Sequence, residues 1–297
     1  MSVLVREVVR PRWTFQLGQP SLDGLTRRRG NGLVRLVHVD GAPAVVAISG
    51  TVFAARAETE AAARAGIERM RFAVGIDDDL AEFHARFRDD PVIGHALRAR
   101  PWLRVRRNPD PWETLAWAIT EQLIDMERAV AIQRRLIGAF GRTFAGYRDS
   151  PSADVIAAQA PAALAACGLA AKRALAMRRA AREVASGRLA AWDDAAFARL
   201  LAIGEIGTWT VEMLALHGLG RLDVIPAGDL GYLKLVGRLT TGRPNAIADE
   251  AEVRGFFAPY APWAGLAASH LIRARIRPAP RLARTRWSAA APRPAAV

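Results

Sequence analysis

The chain has 297 residues, 51% of them hydrophobic, enough for one large or about two to three small domains with a sizeable core. Its 42 basic and 29 acidic residues leave a formal charge of +13, which disfavours an acidic disordered protein and makes a polyanionic partner worth testing; arginine- and alanine-rich composition is an alternative source of that charge. The lone cysteine, Cys167, excludes an intramolecular disulfide framework, a thiolate zinc site and a four-cysteine iron–sulfur cluster, and it suits a reducing cytoplasm.

Met1 to Trp13 places Arg6, Arg10 and Arg12 where a signal peptide would need an apolar core, so a cytoplasmic location is expected. Leu33–Val39 alternates apolar and polar residues with the period of a half-buried strand. Ala44–Ser49 and Thr51–Ala55 are small or β-branched, and Asp40-Gly41 is a hairpin signal between the first two strands. Glu58 to Met70 reads as a helix, and Asp77-Asp78-Asp79 precede a further helical run, Leu80–Phe87. Three carboxylates there suit the positive end of a helix better than a metal site. Trp102–Val105 is expected to add a closing strand.

From Pro111 to about Arg277 the pattern becomes helical throughout. Pro111–Phe140 reads as one long amphipathic helix, with Leu115, Ile119, Leu123, Met126 and Ala129/Val130 on a single stripe, ended by Gly141. Helices are then expected over Ser152–Ala166, Ala171–Ala185, Ala195–Ile203, Thr208–His217, Leu230–Leu239 and Pro262–Ile276. Ala153 to Ala171 is the most apolar long stretch, but Gln159, Pro161 and Gly168 make it a poor membrane span. The end of the chain carries Arg277, Arg281, Arg284, Arg286 and Arg293 with no acid, and is expected to lack fixed structure. The chain therefore reads as α+β: an N-terminal antiparallel sheet with helices (1–105), an all-helical part (106–276) and a basic tail (277–297).

Leu200–Lys234 carries the chemistry. A helix ends at Ile203, a turn Gly204-Glu205-Ile206-Gly207 follows, and another helix starts at Thr208. Glycines let backbone N–H groups approach a ligand closely, and a helix N-terminus favours phosphate. An ordinary αα-hairpin with a glycine cap has the same pattern. Asp229 follows Pro226-Ala227-Gly228 and opens the next helix, either as a simple N-cap or as a carboxylate held ionised beside the hairpin. Trp209 and Trp263 are candidates to wall a cleft at that carboxylate.

These residues resemble the helix-hairpin-helix DNA glycosylases, most of all the bacterial 3-methyladenine DNA glycosylase II type. The resemblance rests on Leu200…Ile203, Ile206-Gly207-Thr208-Trp209-Thr210, Asp223-Val224 and Pro226-Ala227-Gly228-Asp229-Leu230, with Pro262-Trp263…His270 matching the late pocket helix. Ile119-Thr120-Glu121-Gln122-Leu123-Ile124 is similar to the family's long helix ending in a DNA-inserting loop, and Leu169…Lys172 to the motif before the hairpin. The likeness covers most of 105–275.

The resemblance implies a monofunctional glycosylase acting on alkylated purines in double-stranded DNA by base flipping. Asp229 would be the essential carboxylate, and Trp209, Met213 and Trp263 would line the base pocket. Leu123 would fill the gap in the duplex with Gln122 beside it, while Gly204, Gly207 and Thr208 would meet a phosphate. Backbone carbonyls of Leu201, Ile203 and Ile206 would hold a sodium or potassium ion; no other cofactor and no obligate protein partner are implied. The family's lyases use a lysine where this chain has Trp209. Glu205 departs from the family's glycine: a carboxylate in a phosphate-binding turn is unfavourable unless it points away, and a bulky side chain disfavours a left-handed backbone. Ala264-Gly265-Leu266 replaces the family's usual polar trio. Three other readings remain: a glycosylase for hypoxanthine or a deaminated base, a non-catalytic DNA-binding module, and a metal-dependent hydrolase using His217 and His270. The last has no pair of histidines at close ligand spacing.

Overall fold

A computed structural model describes residues 2–274. It opens with five strands, β1 (Val3–Val8), β2 (Arg27–Arg29), β3 (Gly32–Val39), β4 (Ala42–Ser49) and β5 (Val52–Ala57), in one antiparallel sheet of order β1-β5-β4-β3-β2. Asp40 (φ 49°) and Gly41 (φ 81°) both have positive φ, so the β3–β4 turn takes the tight form that matches strand twist. Helix α1 (Glu60–Val74) is capped by the Thr59 hydroxyl, which accepts from Ala62 N at 3.1 Å. Its Ala62, Ala63, Ile67, Met70 and Ala73 bury against Val37, Val46, Ile48 and Phe53 of the sheet.

Two short helices, α2 (Ala81–Phe87) and α3 (Gly94–Ala99), lead to an irregular segment over 101–110. The expected strand at Trp102–Val105 is absent: Arg104 holds that segment by donating to the carbonyls of Thr14 (2.7 Å) and Trp102 (2.9 Å), and no ladder forms. Of the three aspartates, Asp79 accepts from Ala81 N at the start of α2, Asp77 pairs with Arg71 and Asp78 with Arg107. Only one serves the helix end, as expected of all three.

The single helix expected over Pro111–Phe140 is two, α4 (Pro111–Glu121) and α5 (Met126–Phe140). Asp125 caps the second by accepting from Arg128 N at 2.8 Å, and Leu123 between them has φ 56°. Leu123 and Met126 consequently leave the apolar stripe; both are exposed, Leu123 completely. A two-stranded ribbon, β6 (Thr143–Phe144) and β7 (Tyr147–Arg148), follows. Ser152–Ala166 also divides, into α6 (Ala153–Ala158) and α7 (Pro161–Ala166), because the proline starts a new helix. Helices α8 (Ala171–Ala185), α9 (Asp194–Leu201), α10 (Thr208–Met213), α11 (Leu230–Thr241), α12 (Glu250–Phe257) and α13 (Ala264–Arg273) complete the described chain. The Thr208–His217 run thus leaves α-geometry after Met213, closing with a π-helical turn over Leu214–Gly218. The expected end at Ile276 and the basic tail lie outside the described residues. Among the described residues no helix is long and apolar enough to cross a membrane.

Two helical cores meet at the π turn. Leu214 enters a cluster with Leu115, Ile119, Ile132, Met177 and Leu200, whereas Leu216 enters another with Phe83, Leu97, Leu235, Phe257 and Leu266. The helix that follows the hairpin therefore anchors both cores, and the Asp223–Asp229 loop leaves from this junction.

Candidate active site

Hydrophobic anchoring shapes the hairpin. Ile203 and Ile206 are buried, and Ile206 N donates to the Ile203 carbonyl at 3.0 Å. Gly204, Glu205, Gly207 and Thr208 remain exposed between and beyond them. Glu205 has φ 73°, so the left-handed conformation survives without glycine, contrary to the sequence expectation. No side chain caps α10, whose first N–H groups are left at the surface as an anion-favouring end. Glu205→Gly is expected to relieve about 1 kcal/mol of backbone strain. It should also tighten binding to undamaged duplex roughly five-fold at low salt by removing one like charge. Fluorescence anisotropy across a salt series would measure this.

The wedge loop is tied to the hairpin. Gln122 Nε2 donates to the Glu205 carbonyl (2.7 Å) and to Thr210 Oγ1 (2.8 Å), and Arg173 donates to the Gln122 carbonyl (2.7 Å). Gln122 is thus turned inward, while Leu123 next to it stands fully exposed in a left-handed conformation.

Asp229 is the N-cap of α11. Its Oδ1 accepts from Gly231 N at 2.8 Å, and among the described residues Oδ2 has no hydrogen bond and the carboxylate no ion pair. The N-cap and the free-carboxylate readings therefore coexist: one oxygen fixes the group and the other is available. The side chain is half-buried. The preceding loop is pinned by Glu212 of α10, which accepts from Ala227 N (3.3 Å) and pairs with Arg254 of α12 at 2.6 Å. Burial raises the Glu212 carboxyl despite that arginine.

The surroundings of Asp229 come from several elements. A Cβ on Gly228 would lie 3.8 Å from Trp209 Cβ, so Trp209 stands beside the loop. A Cβ on Gly231 would lie 2.9 Å from both Asp229 Oδ1 and Ile272 Cδ1, so only glycine lets the end of α13 close on the carboxylate. Met213 is half-buried. Trp263 is half-buried too, but its ring packs on Phe83 (5.9 Å) and Phe87 (6.2 Å) and makes no ring contact with Trp209 among the described residues. Glu121, at the end of α4, lies within electrostatic reach of Asp229; burial pushes its carboxyl up to about 7, while Gln133 Nε2 donates to it at 2.9 Å. Burial also raises Tyr232 to about 12 and lowers His217, whose Nδ1 is 2.7 Å from the Arg106 carbonyl. Sequence reasoning missed Glu121 and Glu212 as parts of the site: both sit inside helices, where a glutamate ordinarily faces solvent. His270 is 1% exposed, and burial lowers it to about 3, so it is a neutral core residue. Among the described residues no group of three or more His, Cys, Asp or Glu could hold a metal ion, which removes the hydrolase reading's support.

No family model matches the chain. It is 26% identical over 209 residues to the DNA-3-methyladenine glycosylase of Bacillus subtilis, covering 67% of this chain and 68% of that protein. It is 29% identical over 187 residues to DNA-3-methyladenine glycosylase 2 of Escherichia coli, covering 61% and 63%. The 3-methyladenine DNA-glycosylase from Archaeoglobus fulgidus superposes with a TM-score of 0.74 at 21% identity, over 90% of this chain and 97% of that one. The chain belongs to the helix-hairpin-helix DNA glycosylase superfamily. Within that glycosylase fold the altered trio has a packing cause. Ala264 and Leu266 are buried, and Gly265 N donates to the Leu222 carbonyl at 2.8 Å. A Cβ on Gly265 would collide with the Val224 carbonyl. The start of α13 is thus pressed on the loop that leads to Asp229, leaving no room there for larger polar side chains.

Proposed function

We propose that this chain is a cytoplasmic, monofunctional DNA glycosylase that removes alkylated purines from double-stranded DNA and opens base excision repair. The observation that carries the reading is Asp229, a fixed carboxylate with one oxygen uncommitted among the described residues. Cleavage breaks the C1′–N bond, and the electron pair leaves with the base. Positive charge develops on the sugar, and a preorganised anion stabilises it most where water is excluded. Water then adds its oxygen to C1′ and loses its proton to Asp229 or to solvent.

An alkylated, cationic purine leaves readily, and stacking on Trp209 and Trp263, with Met213 beside them, favours it. The base must first be extruded, at a cost of a few kcal/mol that is least for damaged pairs. Leu123 suits the vacated gap: its loop holds an apolar side chain fully exposed. Gly204, Gly207 and Thr208 offer the hairpin's backbone to a phosphate, and Gln122 braces the two loops. Carbonyls of Leu201, Ile203 and Ile206 would hold a structural sodium or potassium ion; the left-handed turn at Glu205 keeps the loop form that the ion needs. No catalytic step passes through it.

Lys172 and Lys234 are both exposed, on α8 and α11, and Trp209 occupies the lyase lysine's position. The expected result is release of free bases from methylated duplex DNA, with abasic sites as product and no covalent adduct on adding borohydride. Adduct trapping would overturn the monofunctional assignment, and a failure to release any base would overturn the glycosylase reading.

A further inference from the structure

A cavity of about 400 Å³ opens between the N-terminal residues and the 102–109 segment, within the range of small-molecule sites. Five arginines line it, Arg35, Arg104, Arg106, Arg107 and Arg273, and among the described residues no carboxylate does. Three of the five are spoken for. Arg35 bonds Glu113, Arg107 bonds Asp78, and Arg104 bonds backbone carbonyls. Arg106 makes only a 3.5 Å contact to the Pro20 carbonyl, and among the described residues the Arg273 side chain has no hydrogen bond or ion pair. The nearby Asp23 does not neutralise them: its oxygens take Leu25 N (3.0 Å) and Trp117 Nε1 (3.1 Å). Loss of water lowers both Arg106 and Arg273, so they are crowded cations in search of an acceptor.

The Arg106–Arg273 end of the cavity adjoins the proposed catalytic carboxylate. Arg273 follows Ile272, which shares with Asp229 the space over Gly231. His217 feels the charges of Arg106, Arg273 and Asp229 together, and its ring bonds the Arg106 backbone. A purine swung to Asp229 would therefore present its far edge to two unpaired guanidinium groups.

We infer that Arg106 and Arg273 make this cleft select 6-oxopurines, such as hypoxanthine and guanine-derived lesions, over 6-aminopurines, by donating hydrogen bonds to the O6/N7 edge of the extruded base. This rests on the glycosylase reading and narrows its substrate class. An O6/N7 edge offers two acceptors to a guanidinium fork, whereas an adenine-type edge offers an N6 donor, which faces donor against donor. The pair also repels a cationic base. It acts on the chemistry as well: a neutral 6-oxopurine leaves with the electron pair of the C1′–N bond as an anion, and positive charge at O6/N7 stabilises that anion until it takes a proton from water.

The test compares hypoxanthine release from a defined duplex with 3-methyladenine release from methylated duplex, both under single-turnover conditions. Arg106→Gln and Arg273→Gln are each expected to lower the hypoxanthine-to-3-methyladenine rate ratio at least ~10-fold. A ratio taken within one variant is insensitive to partial loss of folded protein. A ratio unchanged within two-fold, including parallel loss of both activities as a phosphate contact would give, overturns the inference. Wild-type release of 3-methyladenine but no hypoxanthine overturns it and leaves the glycosylase reading standing. Release of neither base overturns both.

Discussion

Asp229→Asn is expected to slow base release by ~100-fold or more while leaving the fold and duplex binding intact. Asparagine caps a helix about as well as aspartate, so the bond to Gly231 N that seats the side chain can persist. What disappears is the negative charge opposite the forming sugar cation. A loss of ~3 kcal/mol of transition-state stabilisation corresponds to that rate effect. Single-turnover release from methylated duplex, set beside duplex affinity and thermal stability, separates the roles. Equal rates for the two proteins would remove the carboxylate from the mechanism.

Glu113→Ala is expected to destabilise the protein by about 3–5 kcal/mol, lowering its melting temperature by roughly 10 °C. Arg35 of β3 is buried against Glu113 of α4, and its Nη2 lies 3.7 Å from Asp149. Asp149 also meets His38 Nδ1 (2.9 Å) and Arg142 (3.1 Å). Burial would raise the Asp149 carboxyl, but its three basic neighbours hold it below the usual carboxylate range. Burial likewise works against Arg35, yet Glu113 and Asp149 hold it above its ordinary value. This network is the polar joint between the sheet and the helical core. Removing one member strands a guanidinium away from water, so Arg35→Ala in the Glu113→Ala background should recover part of the loss. Calorimetry of the single and double variants would show it; additive losses would mean that the pair carries no coupling.

Much of this was legible in the sequence. Strands β3, β4 and β5, the Asp40-Gly41 hairpin and α8 follow from period and turn chemistry alone, because each pattern is local. The errors come from tertiary contacts that override pattern. Helix α4 stops at Glu121 although the apolar stripe continues, because Gln122 bonds to a hairpin more than eighty positions away and Asp125 restarts the helix. Strand β1 escaped notice because three of its six residues alternate with exposed positions only when paired with β5. The catalytic candidate was readable as an aspartate after Pro-Ala-Gly, yet its neighbours were not. Glu121, Arg106 and Arg273 converge from separate elements, and no spacing encodes that meeting.

The bond from Gln122 to the hairpin has a kinetic consequence. Because the loop carrying Leu123 is fastened to the turn that would grip the backbone, the tip that tests a base pair cannot be withdrawn while the grip stays closed. Each encounter with the duplex then becomes a single concerted clamp-and-probe event, and a site is left only when both release together.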